Sequence, residues 1–342
     1  MEDAITALER SGIQNSGGKR LAITMSAGIR APSPDHGLLV AFHFGSNQAV
    51  EPCEAIVNPG LNPIVGGDVY ECWWYRGDVI HKGYGDIRIA ECDDYAFVVL
   101  QREDAPAEGF RAHTYAAYRD LLEAVKGTGH GHLVKIWNCF SDINFGDGDA
   151  EKYRQFSFGR AEAFEEVGIF DKSVPAGTAV GSPDGGLSII ALVSKHDFFP
   201  AENPRQVSAY RYPREYGPKS PKFSRGGCIA TQDHHLFLIS GTAAIIGHES
   251  AHPYETHLQI EETLENLERL TGAMSDTPGD RPRLELDGGS ILRVYLRDTG
   301  DLEQVAARLR QHLGNVGDNI VFLHADICRR ELMIEIDGVS CF

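Results

Sequence analysis

The sequence predicts an α+β protein made of two copies of one unit, each a mixed sheet with two helices packed on one face. The first reason is a repeated order of elements: helix, strand, helix and a final strand are predicted in residues 113–193, and the same order, with one more strand, is predicted in residues 254–336. The second reason is composition. A chain of 342 residues, 42% apolar and 24% charged, is typical of a globular protein and fits two domains better than one.

Three predicted strands precede the first copy, at residues 20–27, 38–44 and 95–100. The copy opens with a helix over residues 113–126, because apolar side chains recur there at helical spacing. Its later elements are a strand at 133–138, a helix at 149–166 and a strand at 186–193. Residues 45–90 are rich in glycine, proline and tryptophan and give no clear prediction.

The second copy opens with a helix over residues 254–272, whose core-facing stripe is Ile260, Leu264, Leu267 and Thr271. Its later elements are a strand at 291–297, a helix at 301–313, and strands at 320–323 and 332–336. The two copies have low residue identity, so the repeat is recognised from the order of the predicted elements and not from matching residues.

The last strand carries the most informative residue, Glu335. Alternation places Leu332, Ile334 and Ile336 on one face, with Met333, Glu335 and Asp337 on the other. The polar face either meets water at the edge of a sheet or lines a cleft. Laying the two final strands together sets Glu335 opposite Ile190. Isoleucine is sufficient for packing at that position of the first copy. The glutamate of the second copy therefore indicates a further purpose, and we interpret Glu335 as a residue that transfers protons.

Composition excludes several classes of function. A net charge of −17 disfavours nucleic-acid binding, and no apolar run is long enough to span a membrane. The N-terminus lacks the basic and apolar regions of a signal peptide. Seven scattered cysteines without a C-x-x-C pair predict free thiols and a cytoplasmic location. No G-x-G-x-x-G, phosphate loop or G-x-S-x-G motif occurs, so we expect no nucleotide cofactor.

The segment from residue 203 to residue 225 is the richest in arginine and tyrosine, with Arg205, Arg211, Arg214, Arg225, Tyr210, Tyr212 and Tyr216. Arginine pairs with carboxylates through two parallel hydrogen bonds, and tyrosine adds neutral donors. The segment is therefore either a wall that binds an anion or a loop of solvated charges.

Two further motifs have a chemical and a structural interpretation. His248-Glu-Ser-Ala-His252 matches the H-E-x-x-H zinc pattern, but Pro253 disrupts the helix that such a site needs. We therefore predict a loop there and no metal. Cys328 lies beside Arg329 and Arg330. It is either a thiolate activated by these cations or a small buried side chain.

Several stretches together resemble a known fold. The run Ile239–Ser250, the helix with Gln259 and Asn266, Val294–Asp298 and the terminal Ile334-Glu-Ile resemble the YjgF/RidA-like fold. Asn203-Pro-Arg-Gln, Ala209-Tyr-Arg-Tyr-Pro, Phe223-Ser-Arg, Tyr153-Arg-Gln-Phe and Gly159-Arg resemble the chorismatases, enzymes that hydrolyse chorismate. The resemblance implies two tandem RidA/YjgF-like units: a divergent N-terminal domain in residues 1–200 and a catalytic domain in residues 201–342.

The resemblance also implies a reaction. Glu335 would be the general acid that protonates the enolpyruvyl ether of chorismate and so releases pyruvate, without a cofactor. Tyr210, Tyr212, Tyr216, Arg225 and Arg297 would hold the carboxylates and the ring hydroxyl. Gly241 and Cys328 resemble the pair found in members that form 3-hydroxybenzoate, with Cys328 as a second catalytic residue. RidA-like units usually trimerise, whereas a chain with two units can also work as a monomer.

Three alternatives stay open. One is a chorismatase that forms a dihydroxycyclohexadiene carboxylate. Another is a RidA-type enamine/imine deaminase, although the arginine that such enzymes carry about fifteen residues before the glutamate is absent, since no arginine lies between residues 311 and 328. The third is a non-catalytic small-molecule-binding protein, which would return its ligand unchanged.

Overall fold

Two sheets with the same strand order form the body of the protein. The computed structural model describes residues 20–46, 54–275, 286, 289–314 and 319–341. The chain begins with an N-terminal region of short strands, which are β1 (Leu21–Ser26), β2 (His36–Phe44), β3 (Ile56–Val57), β4 (Asn62–Pro63) and β5 (Val69–Arg76).

The first repeat follows this region and has six strands and two helices. They are β6 (Ile80–Tyr84), β7 (Ile87–Glu91), β8 (Tyr95–Arg102), α1 (Phe110–Gly127), β9 (His132–Phe140), α2 (Lys152–Glu166), β10 (Ala176–Gly181) and β11 (Leu187–Ser194).

The second repeat has the same sequence of elements plus a small hairpin. Its elements are β12 (Phe198–Ala201), β13 (Gly226–Ala230), β14 (His235–Ala243), the hairpin β15 (Ile245–Ile246) and β16 (Glu249–Ser250), α3 (Thr256–Ser275), β17 (Ser290–Leu296), α4 (Leu302–Leu313), β18 (Ile320–His324) and β19 (Ile334–Cys341).

Strand order confirms the duplication. The first sheet runs β6-β7-β8-β11-β9-β10, and the second runs β12-β13-β14-β19-β17-β18, with β4 added at its end. In both repeats the last strand lies in the middle of its sheet, and the strand before it pairs in parallel with the strand between the two helices. We propose a division into residues 1–200 and 201–342, near β12, where the chain enters the second sheet.

Each sheet packs its two helices on one face, as the sequence predicts. The predicted stripe of α3 is buried, with Ile260, Leu264 and Leu267 each at most 2% exposed against β14, β17 and β19. A separate apolar cluster joins α1 and α2 to the first sheet. Burying these apolar faces supplies the main driving force for the helices to fold.

The opposite faces of the two sheets meet the N-terminal region in one interior. That region forms a sheet of its own, β1-β5-β2-β3, which includes two of the predicted strands. Its Phe42 and Trp73 pack edge-on against Trp137 of β9, and the same apolar cluster continues to Leu238 of β14. A buried ion pair, Arg293 with Glu71, also links the second sheet to β5.

The H-E-x-x-H segment is not helical, as Pro253 predicts. His248 follows Gly247 in the turn of the hairpin, and Glu249 and Ser250 form its second strand, β16. Helix α3 begins only at Thr256. His252 has a positive φ of 50°, so the two histidines do not lie one helical turn apart. Among the described helices, none is long and apolar enough to cross a membrane.

Candidate active site

A cavity of about 520 Å³ opens where the two repeats meet. The first repeat contributes side chains from α2 and β10, and the second contributes the 212–225 segment, β14, β19 and the segment before β19. The residues of most chemical interest in its wall are Tyr153, Arg160, Thr178, Tyr212, Tyr216, Arg225, Gly241, Cys328, Arg329 and Glu335.

Glu335 lies in the centre of the second sheet. Strand β19 pairs with β14 on one side and β17 on the other, where Glu335 is opposite Ala243 and Tyr295. Its neighbours Ile334 and Ile336 point to the helices, so the carboxyl points to the interior between the sheets, where it is 4% exposed. The prediction of a cleft is therefore correct, and the alternative of a solvated edge strand is wrong.

An irregularity in β14 makes room for the carboxyl. The pairing of β14 with β19 shifts register between Ile239 and Thr242, which is a β-bulge. Gly241 lies in the bulge, and a Cβ atom built on it would overlap Oε1 of Glu335. Gly241 is one of the two residues that the family resemblance links to the product. In the structure, the space that this glycine leaves open holds the acid itself.

Burial raises the pKa of Glu335 to about 8. The charge of Asp337 adds to this effect, whereas Lys135 and Arg225 act in the opposite direction. Glu335 is therefore mostly protonated at neutral pH. A carboxyl group in this state can donate a proton.

Cys328 lines the cavity but is not an activated thiolate. Burial raises its pKa to about 12, and the nearby Glu335 raises it further, although Arg329 works against both effects. Activation by its arginine neighbours was one interpretation of the sequence, and it is wrong because desolvation outweighs the adjacent cation. Cys328 is a neutral thiol in the cavity wall.

The predicted wall of tyrosine and arginine is present in part. Arg225 donates from Nη2 to the hydroxyl of Tyr212 at 2.6 Å and to the carbonyl of Val207 at 2.9 Å. The guanidinium of Arg329 lies 4.0 Å from the ring centroid of Tyr216 and 5.2 Å from that of Tyr212. These cation–π contacts fix both rings at the cavity.

Two predicted binding residues lie elsewhere. Tyr210 packs into the apolar cluster of α1 and α2, and it is not among the described residues that line the cavity. Arg297 also lies outside that wall. It donates to the carbonyls of Ile327, Arg329 and Leu332 at 2.9–3.1 Å. These hydrogen bonds use the donors of the guanidinium group. Arg297 therefore stabilises the segment that carries Cys328.

The first repeat supplies residues that the sequence analysis did not assign. Arg160 of α2 lines the cavity, is 2% exposed, and has two nitrogens, Nε and Nη2, without a hydrogen-bond partner among the described residues. Thr178 and Tyr153 lie in the same wall. Tyr153 and Arg160 are seven residues apart, which places them on the same face of the predicted helix. This spacing is the feature of the sequence from which their shared position could have been predicted.

The chain is similar to several known proteins. Residues 71–193 match the family described as chorismatase FkbO/Hyg5-like, N-terminal. A chorismatase of Streptomyces rapamycinicus is 34% identical over 276 residues, covering 79% of this chain and 81% of the relative. A 3-hydroxybenzoate synthase of Streptomyces hygroscopicus is also 34% identical, over 79% and 80% of the two chains. The crystal structure of a chorismatase is 26% identical, with a TM-score of 0.80 over 94% of this chain and 98% of that one.

The strand order and the junction cavity define a duplicated α+β protein with a buried carboxylic acid between its two repeats. The sequence relatives narrow this class further. The chain belongs to the chorismatase family.

Glu335 should make stability depend on pH in a way that Glu335→Gln removes. Its pKa is about 8 in the folded protein, above the ordinary value of 4.5, so folding takes up a proton between these two pH values. Wild type should therefore lose stability relative to Glu335→Gln as pH rises through this window, by up to about 1.4 kcal/mol per pH unit. Urea unfolding at pH 5 and pH 8 measures the difference. A gap that stays constant would contradict a protonated Glu335.

Proposed function

We propose that this protein cleaves the enolpyruvyl ether of chorismate, releasing pyruvate and 3-hydroxybenzoate, with Glu335 as the general acid. The observation that carries the proposal is a glutamate that is buried, protonated at neutral pH and located in the wall of a cavity between the repeats. The family relatives, whose names are chorismatase and 3-hydroxybenzoate synthase, support the substrate and the product.

The proposed reaction begins with proton transfer. The Glu335 carboxyl gives its proton to the methylene carbon of the enol ether, and the electron pair of the double bond forms the new C–H bond. The ether carbon becomes an oxocarbenium centre, to which water adds. The resulting hemiketal breaks its bond to the ring oxygen and leaves pyruvate. Formation of 3-hydroxybenzoate then requires loss of water from the ring, so no water is consumed overall.

Chorismate carries two carboxylates, and the cavity offers guanidinium groups for them. We propose Arg160 and Arg225 as the anchors. Both are buried in the cavity wall, and each keeps at least one nitrogen without a hydrogen-bond partner among the described residues. A buried guanidinium with open donors gains strongly from a carboxylate, since charged hydrogen bonds are the stronger ones. Tyr212 and Tyr216 add hydroxyl groups beside Arg225 and Arg329.

Replacement of the acid tests the central step. Glu335→Gln is nearly isosteric but has no acidic proton, so turnover of chorismate should fall by about 10²–10⁴-fold or more. Pyruvate release, measured without added metal or nucleotide, reports the rate. Circular dichroism and the unfolding midpoint serve as the folding control. Wild-type turnover in a folded Glu335→Gln protein would disprove the role of Glu335, and a wild type that releases no pyruvate would disprove the substrate.

Arg160→Met should weaken substrate binding. Losing charged hydrogen bonds worth about 1.5–3 kcal/mol should raise KM by about 10- to 100-fold, while Arg160→Lys should retain part of the affinity. Arg111→Met is the control, because Arg111 lies on the neighbouring helix α1, is not among the described residues that line the cavity, and already pairs with Glu162 at 2.8 Å. Its KM should change by less than about threefold. Equal effects of the two Met variants would argue against Arg160 as an anchor.

The product should depend on Gly241 and Cys328. A methyl group on residue 241 would overlap the Glu335 carboxyl and force it to move, and Cys328→Ala removes the thiol from the same wall. We expect the double variant Gly241→Ala with Cys328→Ala to shift the product from 3-hydroxybenzoate toward the dihydroxycyclohexadiene carboxylate. Chromatographic separation with mass analysis measures the ratio. An unchanged ratio in an active double variant would exclude this pair as the product determinant.

A further inference from the structure

Asp337 is a second buried acid close to Glu335 that the reaction above does not use. The two residues are separated by one position on β19, so both side chains project from the same face. They are 4% and 1% exposed, respectively. Two carboxyl groups that share an interior of low polarity do not both ionise readily, and the proton stays on the group with the weaker partners.

The partners of the two carboxyls are very unequal. Thr178 donates from its hydroxyl to Oδ2 of Asp337 at 2.6 Å, and Lys135 donates from Nζ to the same oxygen at 3.2 Å. Lys135 is itself buried and also donates to the carbonyl of Ile239, at the bulge of β14. No hydrogen bond among the described residues reaches the carboxyl of Glu335. The negative charge therefore belongs on Asp337 and the proton on Glu335.

The remaining groups around Glu335 do not reverse this assignment. From α2 it faces Tyr153, and from the segment before β19 it faces Cys328, both neutral at ordinary pH because burial raises their pKa values. Arg225 is a cation in the same wall, but its Nη2 donates to Tyr212 and Val207. On β17, Tyr295 is neutral for the same reason as Tyr153, and the nearby Arg293 pairs with Glu71.

We propose that Asp337, held ionised by Lys135 and Thr178, is a positioning residue that keeps the proton on Glu335 between turnovers. The proposal rests on the proposed function of Glu335 as proton donor. When Glu335 has given up its proton, its carboxylate stands beside the fixed charge of Asp337, and this repulsion favours uptake of a new proton. Both holders of Asp337 come from the first repeat, on β9 and β10, so that repeat sets the charge state of an acid in the second.

The test is to titrate Glu335 directly in an Asp337→Asn protein without substrate. The C=O stretch of the protonated carboxyl, isolated by subtracting the infrared spectrum of a matched Glu335→Gln protein, reports its midpoint. In wild type we expect a midpoint of about 8. In Asp337→Asn it should fall by about one pH unit or more, because a neighbouring negative charge is gone. If Lys135 keeps its charge, it shifts the midpoint in the same direction.

Activity gives a second readout with a defined sign. If the midpoint falls by about one pH unit, the protonated fraction at pH 8 falls from about one half to about one tenth. The kcat of Asp337→Asn relative to wild type should then be about fivefold lower at pH 8 than at pH 6. Loss of turnover from a merely structural defect would be similar at both pH values.

Asp104→Asn is the matched control. Asp104 also accepts from a lysine and a hydroxyl group, Lys152 at 2.7 Å and Ser141 at 2.5 Å, but it is not one of the groups that shift the pKa of Glu335. Its replacement should leave the Glu335 midpoint unchanged.

Thr178→Val is the second variant in case Asp337→Asn does not fold. It removes one donor to Asp337 with little change of shape, so it should lower the midpoint by a smaller amount.

An unchanged Glu335 midpoint in folded Asp337→Asn would overturn the proposal, and so would an unchanged midpoint in Thr178→Val if that variant alone folds. An equal shift in Asp104→Asn would overturn it too, because the effect would then not be local. The infrared titration needs no turnover. It therefore decides this inference even if Glu335→Gln proves active on chorismate, a result that would count against the proposed function alone.

Discussion

A carboxyl group that keeps its proton inside the protein is the constraint on which the rest of the site depends. Burying an ionised carboxylate without partners is costly, and the usual outcome is that the group stays neutral. Glu335 follows this rule, since its pKa is raised to about 8 by desolvation. The fold accommodates it by local means: a central strand that removes it from water, and a bulge with Gly241 that leaves space for its carboxyl.

The same interior shows the other way to bury charge. Arg293 forms two hydrogen bonds with Glu71, at 2.7 and 2.8 Å, and both side chains are almost fully buried. A pair of this kind is costly to break, because either partner alone would be an uncompensated charge. Arg293 lies opposite Asp337 on the neighbouring strand, so the interior combines ion pairs on β17 and at Asp337 with a neutral acid at Glu335.

Periodicity was enough to predict the helices, the repeat and the face of Glu335, because each follows from the spacing of residues within one element. Periodicity did not predict β5, because consecutive residues such as Trp73 and Trp74 are both buried. Polar and apolar residues therefore do not alternate along this strand. Features set by distant contacts were also beyond periodicity. Arg297 has a suitable side chain for an anion, but loop carbonyls occupy it. The bulge at Gly241 depends on the pairing of β14 with β19, and neither strand encodes it alone.

Divergence of the two repeats accounts for the position of the cavity. The last strand of the first repeat has no charged side chain on its inner face, where Ile190 and Leu192 pack into the central core between Ser188 and Ser194. The last strand of the second repeat carries Glu335 and Asp337 on its inner face. The first repeat contributes the groups that complete them: Arg160 in the cavity wall, and Lys135 and Thr178 on Asp337. Neither repeat contains both the acid and all of the residues around it. One unit by itself would leave Asp337 without its lysine, so joining two unequal units in one chain brings together charges that neither could bury alone.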